Sequence, residues 1–180
     1  MVDKEYIESI KKKYLDISEL AKKEGITTDE IIEKQNDNDH KLAEKRGYIL
    51  NRLTEFEHLL NTIITNYFAS KKDEFYNLIL GKEFFTLHQK IRLFGELQLH
   101  KNEHFENKLK GLTGLMHDLK EMRNLVAHGT KAHGMEPRVS YVGKKSKALD
   151  DEFMNDFNEK FETVFLALNE LNQYLVMSDR

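Results

Sequence analysis

The chain of 180 residues has no cysteine, no tryptophan and a single proline, Pro137. Without cysteine it holds no disulfide, thiolate metal site or thiol nucleophile, and it suits a reducing compartment, the cytoplasm by default. Long apolar runs are missing as well. None approaches the roughly 18 residues a membrane span needs, and Met1-Val2-Asp3-Lys4-Glu5 lacks the basic start and apolar core of a secretion signal. A soluble, unprocessed protein with no membrane partner is expected. Nor is one sign of charge in excess: 28 Lys+Arg stand against 31 Asp+Glu, for a net charge of −3. That excludes a uniform basic coat, so any nucleic acid must be met by a local patch.

Few prolines and only nine glycines leave long uninterrupted stretches. In these the apolar residues recur at three and four rather than two, which predicts an all-α protein. A first helix is expected over residues 3–24, with the stripe Ile7, Ile10, Tyr14, Ile17, Ala21, stopping at Gly25. Thr27-Thr28-Asp29-Glu30 reads as a capping box opening a short second helix, and Asn36-Asp37-Asn38-Asp39 as a polar break. The expected organisation is thus an N-terminal helical extension, residues 1–36, followed by a main domain, residues 37–180. The extension is expected to pack on its own bundle; extending a dimer interface and occluding a cleft are the other roles its stripe allows.

The main domain opens with a long helix, residues 40–69, striped by Ile49, Leu53, Phe56, Leu60, Ile63 and Tyr67. A short helix capped by Ser70 closes at Gly81, a third covers residues 86–99, and a fourth covers 105–127 with a potential break at Gly111-Leu112-Thr113-Gly114. The last, residues 150–177, repeats Phe153, Phe157, Phe161, Val164, Leu168, Leu171, Leu175. Before it, Arg138 to Val142 is the one extended stretch, inside a connecting loop.

Two charges sit where the helical pattern does not want them. At about 100° per residue, Arg123 falls on the arc of Leu112, Leu115, Met116, Leu119, Met122 and Val126, and Glu57 lies beside Leu53, Ile64 and Phe68. A guanidinium cannot shed its charge, so partial burial calls for a carboxylate, and a bidentate Arg123–Glu57 pair is expected, whether structural or functional. On the polar arc of the same helix His117, Glu121, Asn124 and His128 form one stripe. Arg123, Asn124 and His128 fall within an arc of roughly 140° just before Gly129, where they could address one phosphate; a solvated face is the plainer alternative.

Arg123-Asn124-Leu125-Val126-Ala127-His128-Gly129 resembles the R-x4-H motif of the HEPN superfamily, including the polar residue after the arginine. The likeness extends over residues 41–175, through a long helix with inward Glu57, the stretch Leu87-His88-Gln89-Lys90-Ile91-Arg92-Leu93 and a helix beyond the motif. It implies an up-and-down bundle of four to five helices, dimerising so that two motifs face each other across a cleft. Many such proteins are metal-independent endoribonucleases, toxins and defence components among them, and no cofactor or metal is implied. His128 would move the proton, Arg123 hold the phosphoryl oxygens, and Asn124 orient His128 or donate to the phosphate; Glu57, His117 and Glu121 would support them. One chain offers one such histidine, so acid–base work on both sides of the phosphate asks for a homodimer.

Residues 129–149 carry Lys131, Arg138, Lys144, Lys145 and Lys147 against Glu136 alone, a surplus of four positive charges that leaves the rest of the chain at −7. Such a patch would bind RNA in a salt-dependent way, with Tyr141 or His133 available to stack on an unpaired base; an exposed loop that is charged only to stay solvated is the alternative. His100-Lys101-Asn102-Glu103-His104 matches an H-x-x-E-H zinc signature, but no third ligand is indicated. Two other functions stay open: a non-catalytic dimeric regulator similar to mannitol-repressor-like proteins, and a toxin paired with a protein antitoxin, in which a separate nucleotidyltransferase takes part.

Overall fold

The computed structural model describes residues 4–68, 72–80, 82, 85–97, 105, 109–132, 138–140 and 147–178. The chain is mostly helical. Helix α1 spans Lys4–Glu24 and ends where Gly25 turns left-handed at φ 68°. The expected capping box is formed: the Thr27 N–H donates to Glu30 Oε2 at 2.7 Å and the Glu30 N–H to Thr27 Oγ1 at 3.3 Å. It opens α2, Thr28–Phe68, a single helix of 41 residues.

The polar break expected at Asn36-Asp37-Asn38-Asp39 is therefore absent, and the short and long helices foreseen there are one. The segment has no glycine or proline to interrupt the backbone. Asp37 instead takes Lys41 Nζ at 2.6 Å one turn on, a surface pair that favours the helix. What changes along α2 is its partner. Ile31 joins Ile17 and Ala21 of α1 in a small apolar cluster, whereas Leu42, Ile49, Leu53, Phe56, Leu60 and Ile63 enter the main core. Among the stripe residues foreseen for α1, the side chains of Ile7, Ile10 and Tyr14 lie outside those described.

Beyond α2 come the single turn α3, Lys72–Phe75, and a wide π-turn, Tyr76–Leu80, whose last residue is fully buried. The Ser70 cap and the Gly81 stop lie outside the described residues. Helix α4 spans Leu87–Glu96, opened by a second capping box between Thr86 and Gln89. Helix α5 spans Leu112–His128; the break foreseen in this stretch falls at Gly111, left-handed at φ 79°, ahead of which the Leu109 N–H donates to the Phe105 carbonyl at 2.9 Å, and Gly114 lies within the helix.

After α5 the expected loop is instead partly a small antiparallel sheet of Thr130–Ala132 (β1), Arg138–Ser140 (β2) and Lys147–Ala148 (β3), in the order β1-β2-β3. Lys131 pairs with Val139, and Val139 with Lys147. Helix α6, Asp151–Ser178, then runs back along α2 and α5. Its Phe153, Phe157, Phe161, Val164, Leu168 and Leu171 are all buried, at roughly 1.5–3 kcal/mol each. No helix among the described residues is long and apolar enough to cross a membrane.

Gly129 joins α5 to the sheet, and here a close approach demands glycine. Its N–H donates to the Leu125 carbonyl at 2.9 Å. A Cβ would strike that carbonyl and lie 2.6 Å from Val139 Cγ1. The motif helix thus ends against the buried side of β2.

Candidate functional site

Arg123 and Glu57 do approach each other, but not as the expected bidentate pair. Arg123 Nη2 stands 3.9 Å from Glu57 Oε2, beyond hydrogen-bond reach, and its side chain is 39% exposed. The Lys90 ammonium donates to the other oxygen, Glu57 Oε1, at 2.6 Å. The Lys90 side chain is only 5% exposed against 25% for Glu57, so the buried cation is the lysine. The physical reason is position. Lys90 lies on the inner face of α4 beside buried Leu87, Ile91 and Phe94, where its side chain is largely removed from solvent, whereas Arg123 at the edge of the α5 stripe keeps part of its exposure. The positional argument that singled out Arg123 also covers Lys90, three residues after Leu87 and four before Phe94, and would have found it, although an ammonium, unlike a guanidinium, can shed its proton.

These groups line a cavity of about 520 Å³ bounded by α2, the π-turn, the N-terminus of α4 and Arg123 from α5. Thr54, His58 and Asn61 of α2 share its wall with Tyr76, and His58 Nδ1 and the Tyr76 hydroxyl are hydrogen-bonded at 3.1 Å. Asn61 is 5% exposed and its Oδ1 has no hydrogen-bond partner among the described residues. No motif marked this cavity in the sequence, because Tyr76 reaches His58 and Lys90 reaches Glu57 only through folding.

Asn124 and His128 do not line the cavity. Asn124 is half-buried and His128 is exposed in the last turn of α5. A five-residue separation places Arg123 and His128 about 7.5 Å apart along the axis and roughly 140° apart around it. Of the supporting residues, His117 is half-buried with its ring centroid 5.4 Å from that of His88 on α4. Glu121 is exposed, 2.9 Å from Lys120 Nζ. The polar stripe is therefore only partly a solvated face.

In the basic segment, Lys147 is exposed and its ammonium sits 4.9 Å above the Phe153 ring. The backbones of Lys131 and Arg138 stand in β1 and β2, with their side chains outside those described. Tyr141, Lys144, Lys145 and His133 lie outside the described residues, as do His100 and His104 of the zinc-like signature. The sheet begins two residues after His128, with Lys131 in β1, Arg138 in β2 and Lys147 in β3. In comparisons with known proteins, no family model, no curated protein and no solved structure matches this chain.

Proposed function

We infer that this chain is a metal-independent endoribonuclease of HEPN type, built on a HEPN-like bundle and acting as a cytoplasmic homodimer. The observation that carries the reading is the state of the motif side chains. Glu57 is already satisfied by Lys90, so the half-exposed guanidinium of Arg123 keeps donors for an outside anion. His128 stands exposed at the end of the same helix.

RNA cleavage without a metal needs a base for the ribose 2′-OH, positive charge on the phosphorane and an acid for the departing 5′-oxygen. Imidazole, which titrates near neutrality, serves as either base or acid. A fixed guanidinium supplies charge and directional donors where negative charge develops. Because Arg123 and His128 diverge around the helix and each chain brings one motif histidine, a facing pair of motifs supplies base and acid from opposite sides. The basic segment beginning just after His128 supplies salt-dependent attraction for the RNA strand.

The test is incubation of the purified protein with total RNA in chelator. Wild type is expected to cleave, and His128→Ala to do so at least about 100-fold more slowly with an unchanged circular-dichroism spectrum. Equal rates, or intact RNA with folded wild type, would remove the reading and leave a non-catalytic regulator, similar to mannitol-repressor-like proteins, as the better account.

A further inference from the structure

We propose that His88 of α4 and His117 of α5 hold one divalent transition-metal ion, Cu²⁺, Ni²⁺ or Zn²⁺, between the two helices. The site is separate from the cleavage chemistry. Neither residue lines the cavity around Glu57, and His117 stands about 16 Å along the helix axis from His128. Three observations converge on it, the first being the spacing of the rings. Their centroids are 5.4 Å apart, with the planes inclined at 45°. A metal–nitrogen bond of about 2.0–2.1 Å, with roughly 1.1 Å more from nitrogen to ring centre, sets each centroid about 3.2 Å from a shared ion. A separation of 5.4 Å then corresponds to a nitrogen–metal–nitrogen angle of roughly 115°, close to tetrahedral.

The second observation is that both backbones are set in advance. His88 lies in the first turn of α4, which the Thr86–Gln89 capping box fixes, and His117 lies in the first half of α5, so neither ring depends on a loop for its place. The helices pack together, and further along the contact a Cβ on Gly95 would meet the Thr113 side chain at 3.8 Å. The ion therefore enters a gap whose width is already held, and little ordering is left to oppose binding. The third is access. His88 is exposed and His117 half-buried, which leaves a way in from solvent. Glu121, one turn after His117, is engaged by Lys120, and no group of three ligating side chains occurs among the described residues, so water completes the shell. Imidazole suits Cu²⁺, Ni²⁺ and Zn²⁺, whereas Mg²⁺ and Ca²⁺ prefer oxygen. One ligand from each helix makes the ion a staple between α4 and the helix that carries Arg123 and His128.

Isothermal titration of the 180-residue chain with Cu²⁺, Ni²⁺, Zn²⁺ and Mg²⁺ tests the proposal. The tightest site is expected to take one Cu²⁺ per chain, to bind Ni²⁺ and Zn²⁺ more weakly, and to give no heat with Mg²⁺. His88→Gln and His117→Gln should each weaken Cu²⁺ at this site at least about 30-fold. Because His88 is exposed, His88→Gln leaves the core untouched and the circular-dichroism spectrum unchanged. Electron paramagnetic resonance of the Cu²⁺-loaded wild type should show two imidazole nitrogens. Saturating Zn²⁺ should raise the melting temperature by roughly 5 °C in wild type and in neither single variant. His128→Ala and the double variant His100→Gln/His104→Gln are expected to keep wild-type Cu²⁺ affinity, so the motif histidine and the H-x-x-E-H stretch are each tested as the source. Absence of Cu²⁺ binding, wild-type affinity in both single variants, loss of the tight site in the double variant or in His128→Ala, or a spectrum with one coordinated nitrogen would each overturn it.

Discussion

Glu57 sits between two cations and satisfies the one that can least do without it. Removing one member of a buried ion pair strands the other, which costs about 3–5 kcal/mol when both are fully buried. Glu57 keeps a quarter of its exposure, so Glu57→Gln is expected to lower unfolding stability by roughly 2–3 kcal/mol in urea titration. Adding Lys90→Met to Glu57→Gln should recover most of the loss, since neither charge then remains in the core. A second residue-scale prediction concerns Gly129. Because a Cβ there collides with the Leu125 carbonyl and Val139, Gly129→Ala is expected to cost about 2–3 kcal/mol and lower the melting temperature by roughly 5–10 °C. At this scale the stripes marked Glu57 and Arg123 at the edge of the core but passed over Lys90, the more deeply buried cation. Which cation Glu57 takes is set by side-chain reach across three helices, and periodicity does not carry that.

At the scale of elements, helix ends with local chemistry were legible in part: the Thr27–Glu30 box and the stop at Gly25 rest on a few neighbouring residues, whereas the Thr86–Gln89 box has the same three-residue spacing and was not picked out. The Thr27 box also sets a pH dependence. The Thr27 backbone N–H, and after it the Thr27 hydroxyl, hold the Glu30 carboxyl below its ordinary value of 4.5. The unfolded chain therefore takes up this proton first. The stabilisation is complete above about pH 4.5 and fades as pH falls through the lower folded-state value. Thermal melts followed by helical circular dichroism should show this loss in wild type, and Glu30→Gln, which keeps the acceptor but cannot titrate, should remove that contribution. The Asn36–Asp39 stretch misled because polarity alone resembles a break. Solvent-facing Asn and Asp interrupt a helix only when their side chains capture the backbone, and here Asp37 pairs with Lys41 instead. The small sheet was half visible, as one β-rich stretch whose partners β1 and β3 are too short to announce themselves.

The whole molecule is organised along α2, which anchors α1 through a small cluster at one end and carries the main core over the rest. The helical class and most of the core followed from apolar spacing, since Ile49, Leu53, Phe56, Leu60 and Ile63 on α2 and the phenylalanine ladder of α6 are all buried. The cavity could not be read the same way, because it exists only where α2, the π-turn, α4 and α5 meet. Within one chain Arg123 reaches that cavity and His128 does not, so on the proposed reading a centre uniting them is completed from a facing copy. Cleavage through the 2′-OH leaves a chemical signature that other routes do not. The decisive measurement is mass spectrometry of RNA ends produced by the purified protein in chelator. Wild type is expected to leave 2′,3′-cyclic phosphate and 5′-hydroxyl termini, and His128→Ala none. Termini bearing 3′-hydroxyl and 5′-phosphate, or the same products from both proteins, would contradict it.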